Sequence, residues 1–390
     1  MTTATAAVPR RILPAIAVSQ FAGTSLWFAI NAVMPDLQRA TGWPAPAVGW
    51  LTAAVQLGFI AGTLGFALLA VADRYSPRRV FLVASLAGAA LAVATALLPP
   101  DFTTLFALRV LTGVCLAGIY PVGMKIAAGW FAGGLGWALG VLVGALVVGT
   151  ALPFGLRALG AQAPWPAVML GVAACAAGGG VLMALAVPDG PHLLRAAKIS
   201  PAALGVIWSD RRVRASAFGY FGHMGELYAF YVLVPAIVAT RVSGAAVPGW
   251  AFVVIASGGL ACVLGGALVR RYGGARVAFA QLACSGGCAL LAPWMLGAPL
   301  LAWGAWMLLW GATVAGDSPQ FSALTAANAP RALIGSVLTF VNSIGFSISV
   351  ATIALFSSLA DVLPLAWVLP GLAVGPAIGL WYLKPLLRRG

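Results

Sequence analysis

Charge is what this chain has least of. Eight acidic and 22 basic residues bring the charged fraction of its 390 residues to 8%, where a soluble domain carries about 25%. So few charges cannot cover a water-soluble surface, and a 62% hydrophobic composition points to lipid as the solvent. The shortage falls mainly on acids, which leaves a net charge of +14. The basic residues sit in short loops between apolar runs, with no basic stripe and no interleaved exposed aromatics, which argues against nucleic-acid binding. Cysteine is also scarce. Cys115, Cys175, Cys262, Cys284 and Cys288 all lie inside apolar runs without a CxxC or Cys/His cluster, so neither a disulfide framework nor a zinc site is indicated. No Walker loop, HExxH or GxSxG occurs. Gly178-Gly179-Gly180 lies within an apolar run, with no strand before it to make a phosphate loop. The expectation is a chain that is not an enzyme and needs no cofactor or metal.

What is present is long apolar sequence. Twelve segments approach the ~20 residues that span a bilayer: about 12–34, 47–72, 80–98, 102–125, 136–159, 166–187, 215–240, 248–270, 277–296, 300–323, 334–357 and 364–384. The runs are continuous rather than ten-residue alternations, which selects helices over a barrel. Arg10 and Arg11 precede the first run, as in a signal peptide, but the run extends to Val33 and contains Gln20, Trp27 and Asn31. That is too long for a signal sequence, so it reads as an uncleaved first span. With the N-terminus placed in the cytoplasm, eighteen lysines and arginines fall on the cytoplasmic side. Only Arg39, Arg157 and Arg241 fall on the other, and Arg109 is left inside a span. The bias sets the orientation and implies that both termini are cytoplasmic.

The loop at 188–214 is polar, basic and proline-bearing. It divides the chain into a bundle of six spans at 1–187 and another at 215–390, with room in the linker for one surface helix. The halves echo each other. Asp73-Arg74-Tyr75-Ser76-Pro77-Arg78-Arg79 is answered 197 residues later by Arg270-Arg271-Tyr272-Gly273-Gly274-Ala275-Arg276. At nearly the same offset, Gly118-Ile119-Tyr120-Pro121 is answered by Gly316-Asp317-Ser318-Pro319. Parallel six-span repeats are a transporter feature, with the substrate site at their interface.

On these motifs the chain resembles the major facilitator superfamily over essentially its whole length. Asp73, Arg74, Arg78 and Arg79 match the family's cytoplasmic loop motif after span two, although Leu69 and Ser76 replace two of its glycines. Arg109-Val110-Leu111-Thr112-Gly113 matches the arginine-x-x-x-glycine of span four. The resemblance implies a twelve-helix, two-bundle fold and a gating role for the loop, its acid docking near the start of span eleven. It also implies a link between Arg109 and proton coupling. The strings Gly222–Tyr228 and Asp317–Leu324 are similar to a bacterial subgroup loosely placed with nitrate/nitrite and cyanate porters. Gln56 stands in span two, however, span eight has no interior arginine, and the nitrate signature is absent.

Ionisable residues inside spans are costly and therefore functional candidates. Glu226, about eleven residues into span seven, is the candidate proton carrier, since a carboxylate at that depth is expensive in its charged form. His223 lies one turn earlier on the same face and could share the proton. Arg109 could attract an anionic substrate or pair with Glu226. Asp317 precedes a Ser-Pro pair late in span ten and reads as part of an inner gate with Asp73, Arg74, Arg78 and Arg79. Gln20, Gln56, Tyr228, Tyr231 and Asn342 are candidates, with Arg109, for contact with cargo. The plainer reading of each is a hydrogen bond between helices. Gly136, Gly140 and Gly144 in span five, and Gly58 and Gly62 in span two, form small-residue faces suited to sliding or to tight static packing.

The expectation is thus a monomeric, multi-pass protein of a bacterial cytoplasmic membrane. It moves a small polar or anionic solute by alternating access, with protons as coupling ion and lipid as its surroundings. Efflux of amphipathic drugs is the alternative within transport, and a non-transporting membrane sensor the alternative outside it.

Overall fold

The computed structural model describes residues 8–131, 134–193 and 199–387. Arg195, Lys198, Arg388 and Arg389, four of the basic residues counted as cytoplasmic, lie outside the described residues. All regular structure among the described residues is helical. The first half contains α1 (Ile12–Thr24), α2 (Ala29–Thr41), α3 (Ala47–Leu68), α4 (Val71–Arg74), α5 (Pro77–Leu97), α6 (Phe102–Ala117), α7 (Tyr120–Trp130), α8 (Leu135–Leu159) and α9 (Trp165–Ala186). After α10 (Ala202–Ser209) come α11 (Arg211–Ala239), α12 (Ala246–Tyr272), α13 (Gly274–Met295), α14 (Leu300–Gly316), α15 (Ser318–Asn328), α16 (Ile334–Val362), α17 (Leu365–Val368) and α18 (Val374–Leu387).

Eleven described segments are long and apolar enough to cross a membrane. The expected span at 300–323 is the exception. It is divided into a helix of 17 residues, α14, and one of 11 residues, α15, which meet at Asp317. Pro319 opens α15 in its first turn, where its missing N–H costs nothing. The first half carries the same device, because α6 ends at Ala117 and α7 begins at Tyr120 with Pro121 in its first turn. The echo of Gly118–Pro121 in Gly316–Pro319 therefore marks two matched helix breaks. The expected surface helix of the linker is α10, and Ser200 N–H donates to Ser336 Oγ at 3.0 Å, tying the linker to α16.

Ends of helices show why the chain turns where it does. Asp101 caps α6 by accepting from the Thr104 N–H at 2.8 Å. That hydrogen bond to the charged form holds its carboxyl below the ordinary aspartate range. Asp210 caps α11 by accepting from the N–H groups of Arg212 and Val213. Gly42 ends α2 in the left-handed region, at φ 73°.

Two seams join the halves of the sequence: α8 lies along α12, and α3 along α16. At the first, Gly144 and Gly259 face each other backbone to backbone. A Cβ at Gly144 would lie 2.8 Å from Gly259 O, and one at Gly259 would lie 2.7 Å from Gly144 O. Gly140 meets Cys262 O on the same seam, while Gly136 has nothing within 4 Å. Gly58 and Gly62 face a different way. They pack on α6 within their own half, where a Cβ at Gly58 would sit 1.9 Å from Val110 O. The span-five row thus serves the join between halves and the span-two row serves packing inside one half.

This contrast is testable. Gly58→Ala must push α3 off α6 and should destabilise by about 1–3 kcal/mol, the usual cost of overpacking. Gly136→Ala should leave stability unchanged. Thermal unfolding of both variants in detergent measures the difference, and equal behaviour would contradict this packing.

Candidate functional site

The centre of the molecule is built around a break in its first apolar segment. Between α1 and α2 the chain leaves helical hydrogen bonding at residues 25–28. Local hydroxyls compete for the carbonyls there: Thr24 Oγ1 donates to Gln20 O at 2.8 Å, and Ser25 Oγ to Ala22 O at 2.6 Å. The carbonyls that lose helical partners need other donors, since water is absent at this depth. Arg109 supplies them. Its Nη1 donates to Leu26 O at 3.0 Å and its Nη2 to Trp27 O. The guanidinium is buried, reaches from α6 and makes no ion pair among the described residues.

The break turns Trp27 and Phe28 towards the opposite half. Trp27 stacks on Tyr228 (centroids 5.9 Å) and on Phe346 (5.7 Å), and touches Phe59 at 5.0 Å. Phe59 meets Phe346 at 4.4 Å, and Phe28 meets Tyr228 and Tyr231 at 6.2 and 5.9 Å. Every ring in this group is buried. Trp27, Phe28 and Phe59 come from the first half; Tyr228, Tyr231 and Phe346 come from the second. They form an aromatic plug between the two.

Polar atoms without partners surround the plug. Gln56 Oε1 accepts from Trp27 Nε1 at 3.1 Å, while its Nε2 is unpaired. The Tyr231 hydroxyl and both amide atoms of Gln20 are buried and unpaired. Gln20 lies against α7, where a Cβ at Gly123 would fall 2.0 Å from its Oε1. Asn342 is half-buried on α16.

The second half holds the acids. Glu226, the one glutamate in the chain, is fully buried on α11. Its Oε1 accepts from Trp310 Nε1 at 2.7 Å, and its Oε2 from Ser285 Oγ at 2.8 Å. His223 does not serve it. Nδ1 of His223 lies 2.7 Å from Oδ1 of Asp317 instead, and among the described residues neither side chain has another partner. The spacing of four on a helix places two Cα atoms on one face, but His223 turns to the α14–α15 break. Arg109, expected to attract an anion or pair with Glu226, is occupied by backbone carbonyls of its own half.

The remaining loop residues lie at the end of the bundle opposite Arg39 and Arg157. Asp73 forms an ion pair with Lys125 on α7, and Lys125 Nζ also donates to Ala72 O at 2.8 Å. Arg78 donates to Ala184 O at 3.3 Å, while Arg74 and Arg79 are exposed. A cleft of about 610 Å³ opens at the Arg39 end, between α2, α8, α11 and α12. Its inner limit is Asn31, and it does not reach Glu226 or the plug.

Sequence reasoning missed Trp310 and Ser285. Trp303, Trp306 and Trp310 fall on one helical stripe; Trp310 donates to Glu226 and Trp306 to Cys288 O, while Trp303 Nε1 has no partner among the described residues. It also missed Phe346 and Phe59, which carry no mark distinguishing them from any apolar residue in a span.

The His223–Asp317 contact makes a measurable claim. His223→Gln and Asp317→Asn should each destabilise, and the double variant should lose less than the sum, by roughly 0.5–3 kcal/mol. A double-mutant cycle by thermal unfolding checks this, and strict additivity would show that the two do not interact.

The model of the Major Facilitator Superfamily matches residues 16–354. No curated protein matches the chain by sequence. Among solved structures, the human organic anion transporter MFSD10 (TETRAN) shares the fold with a TM-score of 0.71. The alignment covers 96% of this chain and 99% of that one at 16% identity.

Proposed function

The chain belongs to the major facilitator superfamily, and from that premise we propose that it is a proton-coupled secondary transporter of a small polar or anionic solute. The fold supports secondary transport in general; the coupling ion, the cargo and the direction are this proposal's own content. Its architecture is read as twelve spans in two bundles, 1–187 and 215–390, joined by the linker at 188–214. Both termini lie in the cytoplasm of a bacterium whose inner membrane holds the protein as a monomer.

One observation carries the coupling: the surroundings of Glu226. Its two oxygens are held by neutral donors from two other helices, Trp310 of α14 and Ser285 of α13. No cation pairs with it among the described residues. Such a site can take up or release one proton without stranding an unpaired cation in the membrane. Tyr231, on the same helix, belongs to the aromatic plug, so a change at Glu226 is transmitted along α11 to the barrier between the halves.

Alternating access then has concrete parts. The α8–α12 seam lets the halves move past each other on bare backbone. The aromatic plug separates the outer cleft from the inner end. The unpaired Gln56 Nε2 and Tyr231 hydroxyl are donors available to cargo once the rings part. Arg109 holds the span-one break that presents Trp27, and acts on transport through that position. The Asp73–Lys125 pair, with Arg74, Arg78 and Arg79 beside it, braces the inner end.

The neighbour MFSD10 is an organic anion transporter by its title. At 16% identity it is a guide to fold, and the anionic class here rests on the arginines of this chain. Reconstituted protein tests the proposal. Uptake driven by an imposed pH gradient should fall at least tenfold in Glu226→Gln, while counterflow exchange without a gradient survives. Gradient-driven transport that is unchanged in this variant at every pH would refute the coupling.

A further inference from the structure

We propose that the cleft between α2, α8, α11 and α12 binds a small organic anion: a ring or short apolar body with a carboxylate at one end and a hydrogen-bond donor at the other. The inference deepens the transport reading by naming a ligand class and an outer site, and it rests on that reading only for its physiological meaning.

The cleft has the make-up of a ligand pocket, concave and mostly apolar with a few placed polar groups. Met34, Phe154, Val232 and Pro235 line its walls. Its volume, about 610 Å³, exceeds what bridging waters need. At the inner limit stands Asn31, almost wholly buried. Its Nδ2 donates to Thr52 Oγ1 at 2.8 Å, but its Oδ1 has no partner. An unmatched buried acceptor is costly, and a ligand N–H or O–H would satisfy it.

At the mouth, two arginines share one acid. Arg157 Nη2 lies 3.0 Å from Asp36 Oδ2, and Arg39 pairs with Asp36 Oδ1. No other acid lines the cleft, so the mouth keeps one unit of positive charge. Arg157 is fixed in place by Ala163 O at 2.8 Å. Arg39 is held less firmly: its Nε donates to Pro35 O at 3.2 Å and its Nη2 to Asp36, but its side chain is 75% exposed. It can therefore turn to a second carboxylate, and a fork of N–H donors favours bidentate capture. The third arginine assigned to this side, Arg241, is spent on Leu296 O and Ala298 O. Both arginines left over thus converge on one cleft, whose apolar walls focus their field.

Spacing narrows the ligand. Asn31 and Arg39 are eight residues apart on α2, roughly 12 Å at helical rise. A single six-membered ring with para substituents, met by the long Arg39 side chain, fits within that distance. The same chemistry, an anionic head on an apolar body, also occurs in acidic lipids.

The probe is 4-hydroxybenzoate, titrated calorimetrically onto the purified full chain in neutral-lipid nanodiscs, with benzoate and 4-hydroxybenzamide as controls. The acid should bind, the uncharged amide at least tenfold more weakly, and benzoate several-fold more weakly. Arg39→Gln should cost tenfold or more and Arg157→Gln several-fold. Where Arg157→Gln does not fold, Arg39→Gln, altered at an exposed side chain, carries the comparison. Asn31→Leu should erase the preference for 4-hydroxybenzoate over benzoate. No binding, equal binding of acid and amide, or arginine variants with unchanged affinity would overturn the proposal. Nanodiscs of phosphatidylglycerol should leave the affinity unchanged; loss of binding there would assign the cleft to lipid and overturn the solute reading. Glu226→Gln should bind the probe as the wild type does, so a failure of coupling and a failure of this site are read separately.

Discussion

A buried guanidinium satisfying two stray carbonyls is the interaction on which the centre of this molecule depends. Arg109 crosses from α6 to donate to Leu26 O and Trp27 O at the break between α1 and α2. In water such a break would be solvated at little cost. In the hydrocarbon region each orphaned carbonyl costs several kcal/mol, so the break persists only with a donor brought to it. Arginine suits the task because its donors are fixed in a plane and reach two acceptors at once. Without that pairing, Trp27 and Phe28 would lie on a continuous helix and the plug between the halves would lose two of its three first-half rings.

The second break, at Asp317, is settled by different chemistry. There the freed groups lie near His223, Gln320 and Gln281, and a Cβ at Gly316 or Gly265 would strike one or other of the two glutamine amides. The break between α1 and α2 is thus stabilised by a cation on carbonyls, and the Asp317 break by an acid, an imidazole and amides. The halves repeat in backbone plan and differ in the polar groups placed at the centre.

Much of this was legible in the sequence. The apolar runs gave the helices, while the likeness of Gly118–Pro121 to Gly316–Pro319 pointed to repeats and not to the paired breaks found there. Glu226, His223, Asp317 and Arg109 stood out because charge inside a span is expensive. Their partners were not legible. Helical spacing placed His223 with Glu226, whereas contact across helices gives His223 to Asp317 and Glu226 to Trp310 and Ser285. A period of 3.6 says which residues share a face and nothing about which neighbour that face meets. The glycine rows show the same limit: Gly58 and Gly144 look alike in sequence, and only packing sends one to α6 and the other to α12. The cleft at the Arg39 end was hidden for a related reason. Arg39, Asp36 and Arg157 read as loop charges counted for orientation, and their convergence depends on the meeting of α2 and α8.

The divided helix at Asp317 has a consequence for biogenesis. Segments of a nascent chain enter the bilayer largely on their own apolar merit, and an aspartate within a helix costs up to about 2.5–3.5 kcal/mol on the insertion scale. The stretch 300–328 has only 17 residues before its interruption and carries that aspartate. Its imidazole partner sits on α11, which leaves the ribosome some ninety residues earlier. α11 thus supplies, ahead of the stretch that needs it, the imidazole that offsets part of this cost.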